Sequence, residues 1–82
     1  MVDYQEILSQ VIEKVSELSG RPVSEKTDLV EELALDSMKA MRLIQEIEDH
    51  FDISIPINLL PEIRTVEDLA RKIEKLLDGS AR

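Results

Sequence analysis

Apolar residues recur at three- and four-residue intervals in three segments, and this spacing constrains the fold most, because it lays a hydrophobic stripe along one side of an α-helix. In the first segment they fall at Tyr4, Ile7, Leu8, Val11, Ile12, Val15 and Leu18, which predicts a helix from Asp3 to Leu18. Ser19-Gly20-Arg21-Pro22 ends it, since glycine tolerates the left-handed turn after a helix and proline cannot continue one. The second segment runs from Ser37 to Phe51, with Ala40, Leu43, Ile44, Ile47 and Phe51 on one face and Met38 and Met41 beside it. The third opens at Thr65-Val66-Glu67-Asp68, where a capping hydroxyl precedes an acid by three positions. It continues through Leu69, Ala70, Ile73, Leu76 and Leu77 to a stop at Gly79.

The connections are less regular. Residues 20–36 are polar apart from Val23, Leu29, Val30, Leu33, Ala34 and Leu35, and the stretch exceeds the usual connection in a compact domain, which marks it as a functional loop. Phe51-Asp52-Ile53-Ser54-Ile55-Pro56 alternates as a strand would, but Pro56 and the lack of a partner strand make it an extended connector. Asn58 is expected to cap a single turn through Leu59 and Leu60, with Pro61 tolerated in the first turn. The expected fold is all-α: a four-helix bundle with three main helices, one short helix and a long first loop. Eighty-two residues suffice for one domain, 1–82, with its core over 3–78 and a frayed Ser80-Ala81-Arg82 tail. With no cysteine, packing alone must hold it.

A net charge of −8 repels nucleic-acid phosphates and anionic headgroups, so neither nucleic acid nor membrane is an expected partner; basic protein surfaces are. Solubility alone accounts for the acidity equally well. No apolar run approaches a membrane span, and Met1-Val2-Asp3-Tyr4-Gln5-Glu6 lacks the regions of a signal peptide, which predicts a cytoplasmic monomer. Catalytic groups are scarce. His50 is the lone imidazole, Glu31-Glu32 and Glu46/Glu48/Asp49 read as solvated charge, and Gly20 and Gly79 are too few for a phosphate loop. An enzyme is not expected, and no metal site is either.

Leu35-Asp36-Ser37-Met38 places a hydroxyl at the start of the second main helix with a carboxylate before it. Two readings are open. Asp36 or Ser37 can serve as an N-cap, accepting from a first-turn amide and stabilising the helix by about 1 kcal/mol. Equally, the unpaired amides and positive dipole end suit a phosphodiester on the serine.

Glu32-Leu33-Ala34-Leu35-Asp36-Ser37-Met38, followed by Glu48-Asp49-His50-Phe51-Asp52-Ile53-Ser54-Ile55-Pro56 and Thr65-Val66-Glu67-Asp68-Leu69, resembles the acyl carrier protein family over nearly the whole chain. The resemblance implies that Ser37 receives 4′-phosphopantetheine from coenzyme A through a magnesium-dependent phosphopantetheinyl transferase. It also implies that the arm's thiol carries acyl groups as thioesters, that Asp36 helps present the serine, and that the bundle interior shelters the chain. The thiol would supply the sulfur the sequence lacks. Met38 and Met41 are placed by the resemblance beside the arm, as recognition residues rather than core. Tethering raises the effective concentration of the acyl group at each docked enzyme.

Departures bear on the partners. Housekeeping fatty-acid carriers bear acids along this helix, whereas here Lys39 and Arg42 stand there, and residues 37–51 net only −1 from Lys39 and Arg42 against Glu46, Glu48 and Asp49. Such cations discourage partners built for an all-acidic helix. Helical pairing, Arg42 with Glu46 and Lys39 with an acid one turn away, explains the same residues. Ala34 stands where the family often has glycine, and Ile57-Asn58-Leu59-Leu60-Pro61 replaces an acid-rich stretch. The expectation is a free-standing carrier for polyketide, lipid or other specialised biosynthesis, loaded by a ligase or acyltransferase and served by downstream synthase enzymes. The rivals are a peptidyl, aryl or D-alanyl carrier loaded by an adenylating ligase, and an unmodified helical adaptor using Met38 and Met41.

Overall fold

A computed structural model describes residues 3–33 and 37–78, the side chains of residues 32, 33, 37 and 57 excepted. Helix α1 spans Tyr4–Ser19. The Asp3 carboxylate accepts from the Gln5 amide at 3.0 Å, so Asp3 caps the helix rather than joining it. Gly20, at φ 78°, closes the other end, its N–H reaching the Ser16 carbonyl at 2.9 Å. Ile7, Leu8, Val11 and Val15 are buried, as the stripe requires.

The expected long first loop contains a five-residue helix, α2, at Leu29–Leu33. One turn is too short to show a periodic pattern, and its start depends on a single side chain: Asp28 Oδ1 accepts from the amides of Val30 at 2.8 Å and Glu31 at 3.1 Å. Helix α3 spans Ser37–Phe51, as the periodicity predicts. It buries Leu43 and Ile47, while Met38 and Met41, the two methionines beside its apolar face, stand in solvent. Beyond it Asp52 turns left-handed at φ 57°, and Glu48 Oε2 accepts from the Ile55 amide at 2.8 Å, so this segment is a braced connector.

A 3-10 helix covers Ile57–Glu62. Asn58 does not cap it. The helix follows Pro56, which has no side-chain cap bond, and the Leu59 amide bonds the Pro56 carbonyl at 3.0 Å. The three-residue turn therefore begins before Asn58, and Pro61 inside it opposes an α-helical continuation. Helix α4 spans Val66–Leu77 and opens on a complete capping box. Thr65 Oγ1 accepts from the Asp68 amide and Asp68 Oδ2 from the Thr65 amide, both at 3.1 Å. Its end falls at Asp78; the expected stop at Gly79 and the tail lie outside the described residues.

Helix α1 packs on α3 and α4 over a core that includes Ile7, Val11, Val15, Ile47, Val66, Leu69 and Ile73. The architecture is all-helical, with three main helices, and among the described residues the extended pairing is limited to a bridge between Asp28 and Thr65. There the Leu29 amide bonds the Arg64 carbonyl at 2.7 Å and the Val66 amide the Thr27 carbonyl at 3.1 Å. Asp28 Oδ2 also accepts from Arg64 Nε at 2.9 Å. These contacts fix α2 to the start of α4, and so place it opposite the first turns of α3.

Candidate functional site

Ser37 is the first residue of α3, so its backbone sits where helical amides lack carbonyl partners within the helix. Its side chain, and Asp36 altogether, lie outside the described residues. The expected triplet is thus located on the fold through Ser37 and Met38. Met38 is 78% exposed and Met41 64%, which excludes both from the core. Lys39 and Arg42 are exposed on the same two turns. The four expected recognition residues are therefore all exposed on the first two turns of α3.

Arg42 is held: its Nε lies 3.2 Å from Glu46 Oε2, one turn along. Glu46 Oε1 lies 3.9 Å from Lys14 Nζ, so α1 adds a cation that the linear sequence did not connect to this face. Glu48 points elsewhere, toward the Ile55 amide. His50, at the far end of α3, is exposed and meets the Phe51 ring edge-on at 4.8 Å, an ordinary surface placement.

Beside these turns opens an apolar groove of about 500 Å³. Leu29 and Val30 of α2 form one wall, Ala40, Met41, Leu43 and Ile44 of α3 the next, and Leu60, Ile63 and Leu69 the third, with Gln45 adding an amide. Val30, Met41 and Leu60 are exposed at its rim. Such a lining suits an apolar chain, and among the described residues it offers no general acid or base. Val30 and Leu60 were not recognisable as wall residues from the sequence, because α2 and the 3-10 helix show no periodicity.

The perturbed titrating groups lie elsewhere and have structural causes. Burial works to raise the Asp28 pKa, but the Glu31 amide, Arg64 and the Val30 amide together hold it below the ordinary carboxylate value. Lys72 lowers Glu62, Lys26 and Arg71 lower Glu67, and the Thr65 and Arg64 amides lower Asp68. Among the described residues no cluster of three or more His, Cys, Asp or Glu side chains could hold a metal, and no helix is long and apolar enough to cross a membrane.

A serine at a helix start, one turn from a groove lined by Ala40 and Met41, leaves room for a group joined to the serine and for an apolar chain beside it. Residues 7–73 match the family described as the phosphopantetheine attachment site. The chain is 41% identical over 59 residues to a probable acyl carrier protein of Caulobacter vibrioides, covering 70% of this chain and 69% of that protein. It is 40% identical over 60 residues to the acyl carrier protein of Phytoplasma australiense, covering 73% and 79% respectively. Over 69 residues it is 33% identical to the meromycolate extension acyl carrier protein of Mycolicibacterium aurum, covering 84% and 71%.

The chain belongs to the acyl carrier protein family. Members are carriers, not catalysts, and their cofactor is a covalently attached 4′-phosphopantetheine. Family membership carries with it interaction with a phosphopantetheinyl transferase and with acyl-handling enzymes. The helix start suits the phosphodiester and the adjoining groove suits an acyl chain, so the residues present fit this group.

Proposed function

We propose that Ser37 is the attachment residue and that the chain carries acyl intermediates as thioesters on the arm joined to it. The observation that supports this most is the position of Ser37 at the first residue of α3, inside the matched stretch 7–73 and one turn before the groove-lining Ala40 and Met41. Attachment joins the serine oxygen to the phosphate of the phosphopantetheine half of coenzyme A, with the 3′,5′-adenosine bisphosphate half leaving. The arm's thiol then supplies the thioester chemistry. Asp36 helps present the hydroxyl, and the chain's own later work is to hold cargo and be recognised.

Met38, Lys39, Met41 and Arg42 are the proposed recognition residues, supported by their shared exposure on two turns of α3. The basic pair favours a dedicated partner set over generic fatty-acid enzymes, and so polyketide, lipid or other specialised biosynthesis. Relatives named for meromycolate extension keep lipid elongation among these pathways. A single cytoplasmic, monomeric domain loaded by a ligase or acyltransferase completes the reading. A peptidyl, aryl or D-alanyl cargo is the rival, separated by supplying adenylating ligases with each acid.

The test is intact mass before and after incubation with coenzyme A, magnesium and a broad-specificity phosphopantetheinyl transferase. One phosphopantetheine is expected on the chain and none on Ser37→Ala, whose helical circular dichroism stays unchanged. No gain on folded protein with a validated transferase would instead favour an unmodified adaptor.

A further inference from the structure

The groove beside α3 is apolar at its floor and mixed at its mouth. Leu29, Leu43 and Leu69 line it as buried side chains, whereas Met41 and Gln45 stand exposed at the rim. Gln45 follows Met41 by one helical turn, which puts the two on the same side of α3. Among the described residues Gln45 brings the one polar side chain to the lining. Glu31, on α2, is exposed and does not line it. Arg42, Glu46 and Glu48 have partners of their own: Arg42 meets Glu46, Glu46 also meets Lys14, and Glu48 holds the Ile55 amide. The Gln45 side chain makes no hydrogen bond to another described residue.

We infer that Gln45 is a specificity-determining residue for the cargo, favouring an acyl chain with a hydroxyl or oxo oxygen close to its thioester over a saturated chain of the same length. The inference rests on the carrier reading, in which the groove takes the chain. Gln45 lies about 12 Å along the helix from Ser37. The extended arm reaches about 16 Å from the serine oxygen, at the span per bond of an extended chain, so the thioester can stand at the mouth beside Gln45. The carbons nearest the thioester then pass the rim, and the tail lies on the leucine floor. A glutamine amide both donates and accepts, so it serves a hydroxyl or an oxo group alike. A saturated chain at the mouth displaces water from the amide and returns no hydrogen bond, whereas an oxygen there replaces the water. An oxygen at the far end of the chain meets leucine side chains and finds no partner. Because the exposed Gln45 can also turn to solvent, the preference is limited to what one hydrogen bond supplies.

The test loads the chain with octanoyl, 3-hydroxyoctanoyl and 7-hydroxyoctanoyl groups from their coenzyme A thioesters through a broad-specificity phosphopantetheinyl transferase, each product being verified by intact mass. Cleavage of each thioester by hydroxylamine is then timed against the same thioester of coenzyme A, since shelter in the groove slows the attack. The 3-hydroxyoctanoyl group is expected to be slowed about two- to tenfold more than the octanoyl group, the range for one hydrogen bond, and the 7-hydroxyoctanoyl group no more than the octanoyl. Gln45→Met, which keeps the length of the side chain without its amide, should abolish the difference and leave the octanoyl rate unchanged. Equal slowing of the octanoyl and 3-hydroxyoctanoyl groups, or a preference that persists in Gln45→Met, would overturn the inference. Either result on a chain that loads all three groups leaves the carrier standing; failure of the folded chain to load any of them overturns the carrier reading, and this inference with it.

Discussion

Tyr4 shows how one side chain fixes the loop on which the groove depends. Its hydroxyl donates to Glu25 Oε2 at 2.8 Å, and the Arg71 guanidinium lies 4.6 Å from its ring centroid, so α1, the first loop and α4 meet on one phenol. Burial, and then the hydrogen bond to anionic Glu25, push its pKa up to about 12. A raised pKa means that the folded chain holds the phenolic proton more tightly than the unfolded one. The contribution to stability is therefore complete below the ordinary value near 10 and is lost as pH rises toward 12. Tyr4 is the one tyrosine and there is no tryptophan, so tyrosinate absorbance reports it alone. The expected midpoint is near 12 in the folded protein and back at about 10 in denaturant. A folded midpoint near 10 would show that the phenol is neither buried nor held by Glu25 as described. Tyr4→Phe keeps the ring under Arg71 and should cost about 0.5–1.5 kcal/mol in urea unfolding.

The elements differ in how much of each is held by its own sequence. Thr65→Ala removes one half of the capping box and should cost about 1 kcal/mol by denaturant unfolding, because Val66–Leu77 must then start with an unsatisfied amide. Asp28 offers a sharper comparison. Asp28→Asn retains an oxygen for the Val30 and Glu31 amides but loses the charge facing Arg64; Asp28→Ala loses both. Hydrogen exchange at those two amides should stay slow in the asparagine variant and quicken in the alanine variant, and equal exchange in the two would remove Asp28 as the cap. Helices α1, α3 and α4 were legible because each repeats its apolar spacing over three turns or more, and Thr65 and Asp68 announce the start of the last. Helix α2 was not, since five residues carry no period, and its signal was the Asp28 cap inside a polar stretch. The 3-10 helix was placed but mis-started, because Asn58 resembles a cap while the turn follows Pro56. At the candidate site, Ser37, Met38, Lys39, Met41 and Arg42 were singled out through the family resemblance and the departures from it; Lys14, Val30 and Leu60 were not, because tertiary packing alone brings them there.

At the scale of the whole molecule, packing and a few ion pairs must do what disulfides do in other small domains, since the chain contains no cysteine. Four carboxylates that hold elements in place have depressed pKa values. Asp28 joins α2 to Arg64, Glu62 joins the 3-10 helix to Lys72, Glu67 joins α4 to Lys26 of the first loop, and Asp68 closes the capping box. Each releases its proton more readily folded than unfolded, so each contributes stability that is complete above the unfolded values of 3.8 for Asp and 4.5 for Glu. That contribution is lost as pH falls through the still lower folded values. Relief of the −8 self-repulsion works the other way, but it is spread over 18 acids in a high dielectric, whereas these four are held by direct hydrogen bonds. Urea unfolding should therefore give a flat stability from neutral pH to about pH 5 and a fall below about pH 4, where the four groups begin to bind protons on unfolding. Added salt should raise the neutral plateau by screening repulsion while leaving the position of the acid fall in place. Stability that climbs steadily down to about pH 3 would mean that repulsion, not these four ties, sets the acid limit. The groove would then lose its walls by a different route, because α2 and the 3-10 helix are the elements that three of the four ties or their neighbours hold beside α3 and α4.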